Sequence, residues 1–250
     1  MNVSLAALVL APGFAIGSFL NVVAARLPVR RSLVRPGSAC PACETPIAWY
    51  DNVPIVSYVL LRGCCRHCKA RIGIRYVAVE LATGLLVAAC FARFGLSGEA
   101  FVAALFVACL VLVSAIDIEQ RIIPDLIVLP AAGVVLAAQI ALSPDRALEW
   151  ALAAVGASGF LFLAVLAYPR GMGMGDVKLA LLMGAALGKS VAVAMMIGML
   201  SALVVAVFLL VRDGATARKT AIPFGPFLAL GSIVGLFAGA SILSGYLDRF

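Results

Sequence analysis

Eight apolar stretches divide the chain, at about 3–25, 77–95, 100–116, 124–142, 147–168, 177–187, 190–211 and 222–247. A helix needs about 20 apolar residues to cross the hydrocarbon of a bilayer, and only the sixth stretch falls clearly short of that. A soluble domain of 250 residues cannot hide so much apolar surface. The chain is 64% apolar and 12% charged, with a mean hydropathy of +1.13, against roughly 45–50% and about 25% in globular proteins. Inside lipid each backbone polar group must be satisfied within its own segment, so stretches of this length fold as helices. The expectation is an all-α polytopic membrane protein with about eight transmembrane helices. An ordinary soluble enzyme, a disordered chain and a secreted disulfide scaffold are excluded together.

The formal charge of +7 points less to nucleic acid than to topology, because nine of the 19 Lys and Arg fall between Arg26 and Arg75. No basic residue precedes the first apolar run, whereas Arg26, Arg30 and Arg31 follow it. That polarity is opposite to a cleavable signal peptide, so the first run reads as a retained helix with its N-terminus outside. The loops at 26–76, 117–123, 169–176 and 212–221 then face inward and, with their edges, carry 15 of the 19 basic residues. Arg93, Arg146, Lys189 and Arg249 remain outside, a split that fixes orientation by the positive-inside rule. The sequence shows no internal repeat of 20–50 residues. Small-residue runs such as Ala151 to Gly159 suit close helix packing in lipid.

Three regions are expected: a first transmembrane helix at 1–25, a cytoplasmic loop domain at 26–76, and a transmembrane core at 77–250. The loop domain holds five of the seven cysteines and the sole histidine. Cys40 and Cys43 form one C-x-x-C pair and Cys65 and Cys68 another, with 21 residues between them. Four thiolates at this spacing can surround one zinc ion tetrahedrally. Disulfides are the competing reading, and a reducing cytoplasm disfavours them. Cys64 is left over in either scheme, and His67 could replace a thiolate. A loop this small is near the size at which a metal must substitute for a hydrophobic core, so the zinc reads as structural. Cys90 and Cys109 lie in apolar runs and read as small hydrophobes.

Carboxylates at membrane depth are costly and mark function by default. Asp117 ends the third apolar run, where the helix macrodipole opposes negative charge and capping gives no reason for it. Asp125 follows Pro124 at the start of the next run and reads equally as a cap or as support for a site. Asp176 could cap the short sixth helix. Yet Gly171, Gly173 and Gly175 precede it at alternate positions, and a cap requires none of them. Glycines there would let an extended backbone approach the acid. Asp117 and Asp176 fall on the same side of the membrane, and two converging carboxylates, one protonated, can activate water for peptide hydrolysis. Lys178 follows as a supporting residue. Glu80, about a turn into the second run, would either order the site through a partner such as Arg75 or Lys178 or snorkel to the interface. Two other classes compete with a hydrolase. A transporter would want inverted repeats and deep broken helices, and a zinc-organised scaffold would leave Asp117 and the glycines unexplained.

These residues together resemble the prepilin peptidases, or type IV leader peptidases, which are G-x-G-D aspartic proteases of the bacterial inner membrane. The resemblance covers nearly the whole chain. It is carried by Gly17-Ser-Phe-Leu-Asn21 with Arg26-Leu-Pro28, and by Cys40-Pro-Ala-Cys43, Asn52-Val-Pro54, Ser57, Leu61-Arg-Gly63, the second cysteine pair, Arg75-Tyr76 and Glu80. Asp117 with Pro124-Asp125, and Gly173-Met-Gly-Asp176-Val-Lys178-Leu, complete it. Glu119 stands where many members have Asp. The resemblance implies cleavage of the basic leader of type IV prepilins or type II secretion pseudopilins at the cytoplasmic face, with Asp117 and Asp176 as the catalytic pair. It also implies N-methylation of the new N-terminus by S-adenosylmethionine in members that carry the cysteine loop, without naming residues for that donor.

Overall fold

The computed structural model describes residues 3–169, 172–214 and 222–248. Its helices are α1 (Val3–Arg26), the five-residue α2 (Val56–Leu60), α3 (Ile74–Phe94), α4 (Gly98–Gln120), α5 (Asp125–Leu142), α6 (Ala147–Ala167), α7 (Met174–Leu187), α8 (Val191–Asp213) and α9 (Gly225–Leu247). No strand occurs among the described residues. The protein is all-α, and each of the eight apolar stretches is one helix. Seven stretches are long and apolar enough to cross a membrane, because α7 qualifies only together with α8 as Met174–Asp213. With 14 residues, α7 is about 21 Å long, well short of a hydrocarbon core of about 30 Å. Gly188, at φ +55°, ends it, and a side chain there would strike Trp150 and Glu149. Arg170, Gly171, Arg218, Lys219 and Arg249, which entered the sequence reading, lie outside the described residues.

The chain forms two compact units, Met1–Ala115 and Ile116–Phe250. This differs from the division expected at residues 26 and 77, since α3 belongs with α1 and the cysteine segment. The reason is close helix packing. A Cβ on Gly13 would lie 2.9 Å from Gly84 Cα, and one on Gly17 would lie 2.7 Å from Glu80 Cα. Small residues thus bring the α1 and α3 backbones into contact, as helices without a hydrophobic driving force require. In the second unit Gly184 of α7 seats on Ala153 and Ala154 of α6, and Gly231 of α9 seats on Ala194 and Gly198 of α8. The small-residue run 151–159 therefore packs through its alanines, while Gly156 and Gly159 face open space.

Helix α4 runs four residues past its expected end, to Gln120. Arg121, at φ +56°, closes it with its N–H on the Asp117 carbonyl at 2.9 Å. That is a left-handed C-terminal cap, followed by a proline at 124 that cannot continue the helix. Asp117 therefore sits inside the last turn of α4.

Candidate active site

The turn after α4 is what builds the site in the second unit. It carries Ile123, whose side chain occupies the place where a Cβ on Gly175 would be, at 2.8 Å. This contact pins the start of α7 to the turn. Two residues beyond Ile123, Asp125 accepts a 2.6 Å ion-pair hydrogen bond from Lys178 of α7. Asp125 is the first residue of α5, whose N-cap is Pro124. Of the cap or site support expected of it, the structure shows an ion pair with Lys178.

Both aspartates are buried, Asp117 at 5% exposure and Asp176 at 8%. Asp176 is in the first turn of α7, and its Oδ2 accepts from the Gly173 N–H at 3.2 Å. That is the reciprocal half of a capping box, so a capping role exists but is met by one oxygen. Asp117 Oδ2 accepts from the Gly225 N–H at 2.9 Å, at the first residue of α9. From sequence only Asp176 is expected at a positive helix end, and Asp117 has no structural partner; in the structure each acid receives a backbone N–H from a helix start. Two buried carboxyls brought together cannot both ionise cheaply, and that would be the condition for sharing a proton.

The glycines divide by role. Gly175 is required for packing on Ile123, and Gly225 for the approach to Asp117: a Cβ at 225 would lie 2.8 Å from its Oδ2. At Gly173 an added Cβ would make only ordinary contact with Asp176, at 3.7 Å. Gly173 is therefore not required by packing in the way that Gly175 is. Gly171 lies outside the described residues. Gly225 was not singled out from the sequence. Its signal was Pro226 in the first turn of the last helix, where proline marks a helix start.

In the first unit Glu80 is buried at 8% exposure. Its Oε2 accepts from the Ile55 N–H at 2.8 Å. The partners expected from sequence were Arg75 or Lys178, with snorkelling as the alternative. The structure instead gives it a main-chain partner in the cysteine segment, presented by a residue at φ +63°. A β-branched residue in that region is strained and persists only where its surroundings enforce it.

The four cysteines converge. Sγ of Cys40 lies 3.8 Å from that of Cys68, and Cys43 lies 4.0 Å from Cys65. All four sulfurs fall within 4.8 Å of one another. A tetrahedron of thiolates about 2.3 Å from a metal has edges of about 3.8 Å, whereas a disulfide needs about 2.05 Å. The cluster can hold a metal ion, and the four cysteines are free thiols. His67 is not part of it.

The two knuckles are built alike. Cys40 N–H donates to Thr45 O and Cys65 N–H to Ala70 O, and the fifth residues, Glu44 and Lys69, close back on the first cysteines at positive φ. Bridges Ala39–Pro46 and Cys64–Arg71 flank them. Every position recurs 25 residues on (Cys40 to Cys65), so this module contains a structural repeat that the sequence reading missed. Cys64 is the backbone bridge residue of the second copy, in the place that Ala39 holds in the first. Without metal, the hydroxyl and backbone of Thr45 draw Cys43 down to about 6, towards the thiolate that metal binding requires.

No solved structure matches the chain. Residues 12–94 match the bacterial peptidase A24 N-terminal domain and residues 104–210 the type IV leader peptidase family. The prepilin leader peptidase/N-methyltransferase of Bacillus subtilis (strain 168) is 37% identical over 94% of this chain and 95% of its own length. That of Pseudomonas aeruginosa is 35% identical over 94% and 91%, and that of Neisseria gonorrhoeae 32% over 92% and 89%. With both family regions matched and relatives aligned over nearly their full length, the chain belongs to the type IV leader peptidase family.

Proposed function

We propose that the chain is a membrane-embedded aspartic endopeptidase that removes the short basic leader of type IV prepilins or type II secretion pseudopilins, and then methylates the new N-terminus. The observation that carries the peptidase reading is the pair of buried acids, Asp117 and Asp176, each oriented by one backbone N–H from a helix start. Each has a second oxygen left for a water or a carbonyl. The ionised member draws a proton from a water as that water attacks the scissile carbonyl, and the protonated member hydrogen-bonds the carbonyl oxygen where charge develops. The titration belongs to the pair. Gly173, free of that packing requirement, lets the substrate backbone lie against Asp176, while the substrate's apolar segment stays in lipid. Lys178 and Asp125 hold α7 to the turn that carries Ile123. A transporter or a scaffold gives no reason for two acids oriented in this way.

The excess of Lys and Arg in the 26–76 loop supports an inner-membrane orientation with the N-terminus outside and the dyad facing the cytoplasm. The sulfur separations suit zinc, which would fix the two knuckles where a hydrophobic core is lacking. The methylation reading rests on the relatives' names and on the intact cysteine module, and S-adenosylmethionine would supply an electrophilic methyl group for the new amine.

Incubating the purified chain with a prepilin and measuring product masses tests the reading. A shortened product is expected, and with the donor present a further methyl. Asp117→Asn or Asp176→Asn should lower cleavage on the order of 10³-fold or more with fold and metal content intact. Cleavage near the normal rate in either variant overturns the dyad.

A further inference from the structure

A cavity of about 390 Å³ lies in the first unit between the cysteine module and helices α1 and α3. Neither the cleavage chemistry nor the metal cluster uses it. Its volume falls within the range of roughly 300–1,000 Å³ found for small-molecule sites. Among its lining residues are Asn21, Tyr50, Tyr58, Arg71, Tyr76 and Glu80.

Three features of this wall ask for a ligand. First, Asn21 is 5% exposed and donates through Nδ2 to the Tyr76 carbonyl at 2.9 Å. The carbonyl partner fixes the amide orientation, since a flipped amide would set oxygen against oxygen. Its Oδ1 is then a buried acceptor without a partner, and a buried acceptor left unpaired costs stability. Secondly, the buried Glu80 carboxylate lies against the cavity, held by the strained Ile55. Strain of this kind tends to mark a functional contact. Thirdly, three tyrosine rings line the same space. Arg26 and Arg66, which also border it, are already held, Arg26 by the Ser32 and Gly37 carbonyls and Arg66 by Asp51. Arg71 is exposed at the rim.

An acceptor short of a donor, a buried carboxyl, aromatic faces and a rim guanidinium describe a ligand with N–H donors, a central cation, a flat heterocycle and a carboxylate. We propose that this cavity is the binding site for the sulfonium methyl donor S-adenosylmethionine. Glu80 faces its cationic part, Asn21 Oδ1 accepts from one of its amino groups, and the tyrosines pack its heterocycle. The inference rests on the methylation reading above and adds the residues that reading lacks. Cys40 and Cys65 also border the cavity, so the metal module forms one of its walls.

Equilibrium dialysis of the metal-loaded, detergent-purified full chain with radiolabelled S-adenosylmethionine tests this directly, with ATP as a competitor of opposite charge. Saturable binding that excess ATP does not displace is expected. Glu80→Gln keeps an acceptor for the Ile55 N–H and removes the charge, so it should weaken binding by about tenfold or more. Unchanged metal content and unfolding midpoint would show that the variant is folded. As a second readout independent of variants, a photoreactive analogue of the donor should label peptides within 18–26, 48–58 or 71–80 of the wild-type chain. Wild-type affinity in Glu80→Gln, or labelling confined to residues 116–248, overturns the cavity assignment while leaving methylation standing. A chain that cleaves prepilin but binds no donor overturns both.

Discussion

Replacing Gly225 with Ala should separate catalysis from stability. A Cβ at 225 would stand 2.8 Å from Asp117 Oδ2 and 3.3 Å from its Cγ. Ordinary contact begins near 3.4 Å, so the carboxyl or the start of α9 must move by about 0.6 Å. That displacement falls on the 2.9 Å hydrogen bond from Gly225 N–H to Asp117, which orients this acid. A hydrogen bond to a charged group contributes about 1.5–3 kcal/mol, and a factor of ten in rate corresponds to about 1.4 kcal/mol. Cleavage should therefore fall by roughly 10- to 100-fold. Misplacement of about an ångström alone can cost on the order of 10²-fold. Stability should move little, because alanine is favoured over glycine in a helix by up to about 1 kcal/mol, which offsets part of the contact strain. The assay is kcat/KM on a prepilin substrate, run beside thermal unfolding in detergent. Gly133→Ala serves as the control, since its added Cβ meets nothing within 4 Å. If Gly225→Ala stays folded and cleaves within about twofold of the wild type, the N–H of Gly225 does not orient a catalytic Asp117.

Three further outcomes are expected. Metal analysis should give about one zinc per chain, and Cys40→Ser should lower it and loosen residues 39–71 to proteolysis. Lys178→Met breaks the 2.6 Å pair with Asp125, whose side chain is 58% exposed; stability should change by less than about 1 kcal/mol, and cleavage by no more than about tenfold, both read on the same preparation. The Arg66 guanidinium beside Asp51 holds its carboxyl below its ordinary value of 3.8. A lowered carboxylate contributes stability above its unfolded value and loses it as pH falls through the folded one. The difference in unfolding midpoint between wild type and Asp51→Asn should then be constant from neutral pH down to about 4 and shrink below that.

The local signals were strong enough to be legible from the chain alone. Helix positions followed from hydropathy because lipid leaves the backbone no alternative, and the observed ends lie within about four residues of those expected. Even the shortness of α7 was written in the spacing of its apolar residues. The two C-x-x-C pairs carried their own geometry, since each turn places two sulfurs on one side of an ion. Asp117 and Asp176 stood out as uncompensated charges in apolar sequence.

What depended on contacts between distant residues was not written there. No property of residues 117 and 225, which lie 108 positions apart, announces that one donates to the other, so Asp117 was read as opposed by its own helix when a second helix start supports it. Gly175 was read as room for substrate, yet it is filled by Ile123 from another element. Glu80 had three plausible outcomes, and tertiary packing chose a main-chain N–H from the cysteine segment. The repeat of the knuckles hides because its matching hydrogen bonds run through backbone atoms, which constrain φ and ψ but few side chains. Hydropathy and spacing act within a turn or two of the chain and are readable in sequence. Which helix end meets which acid is set by packing among helices whose apolar faces are chemically alike, and only the folded bundle decides it.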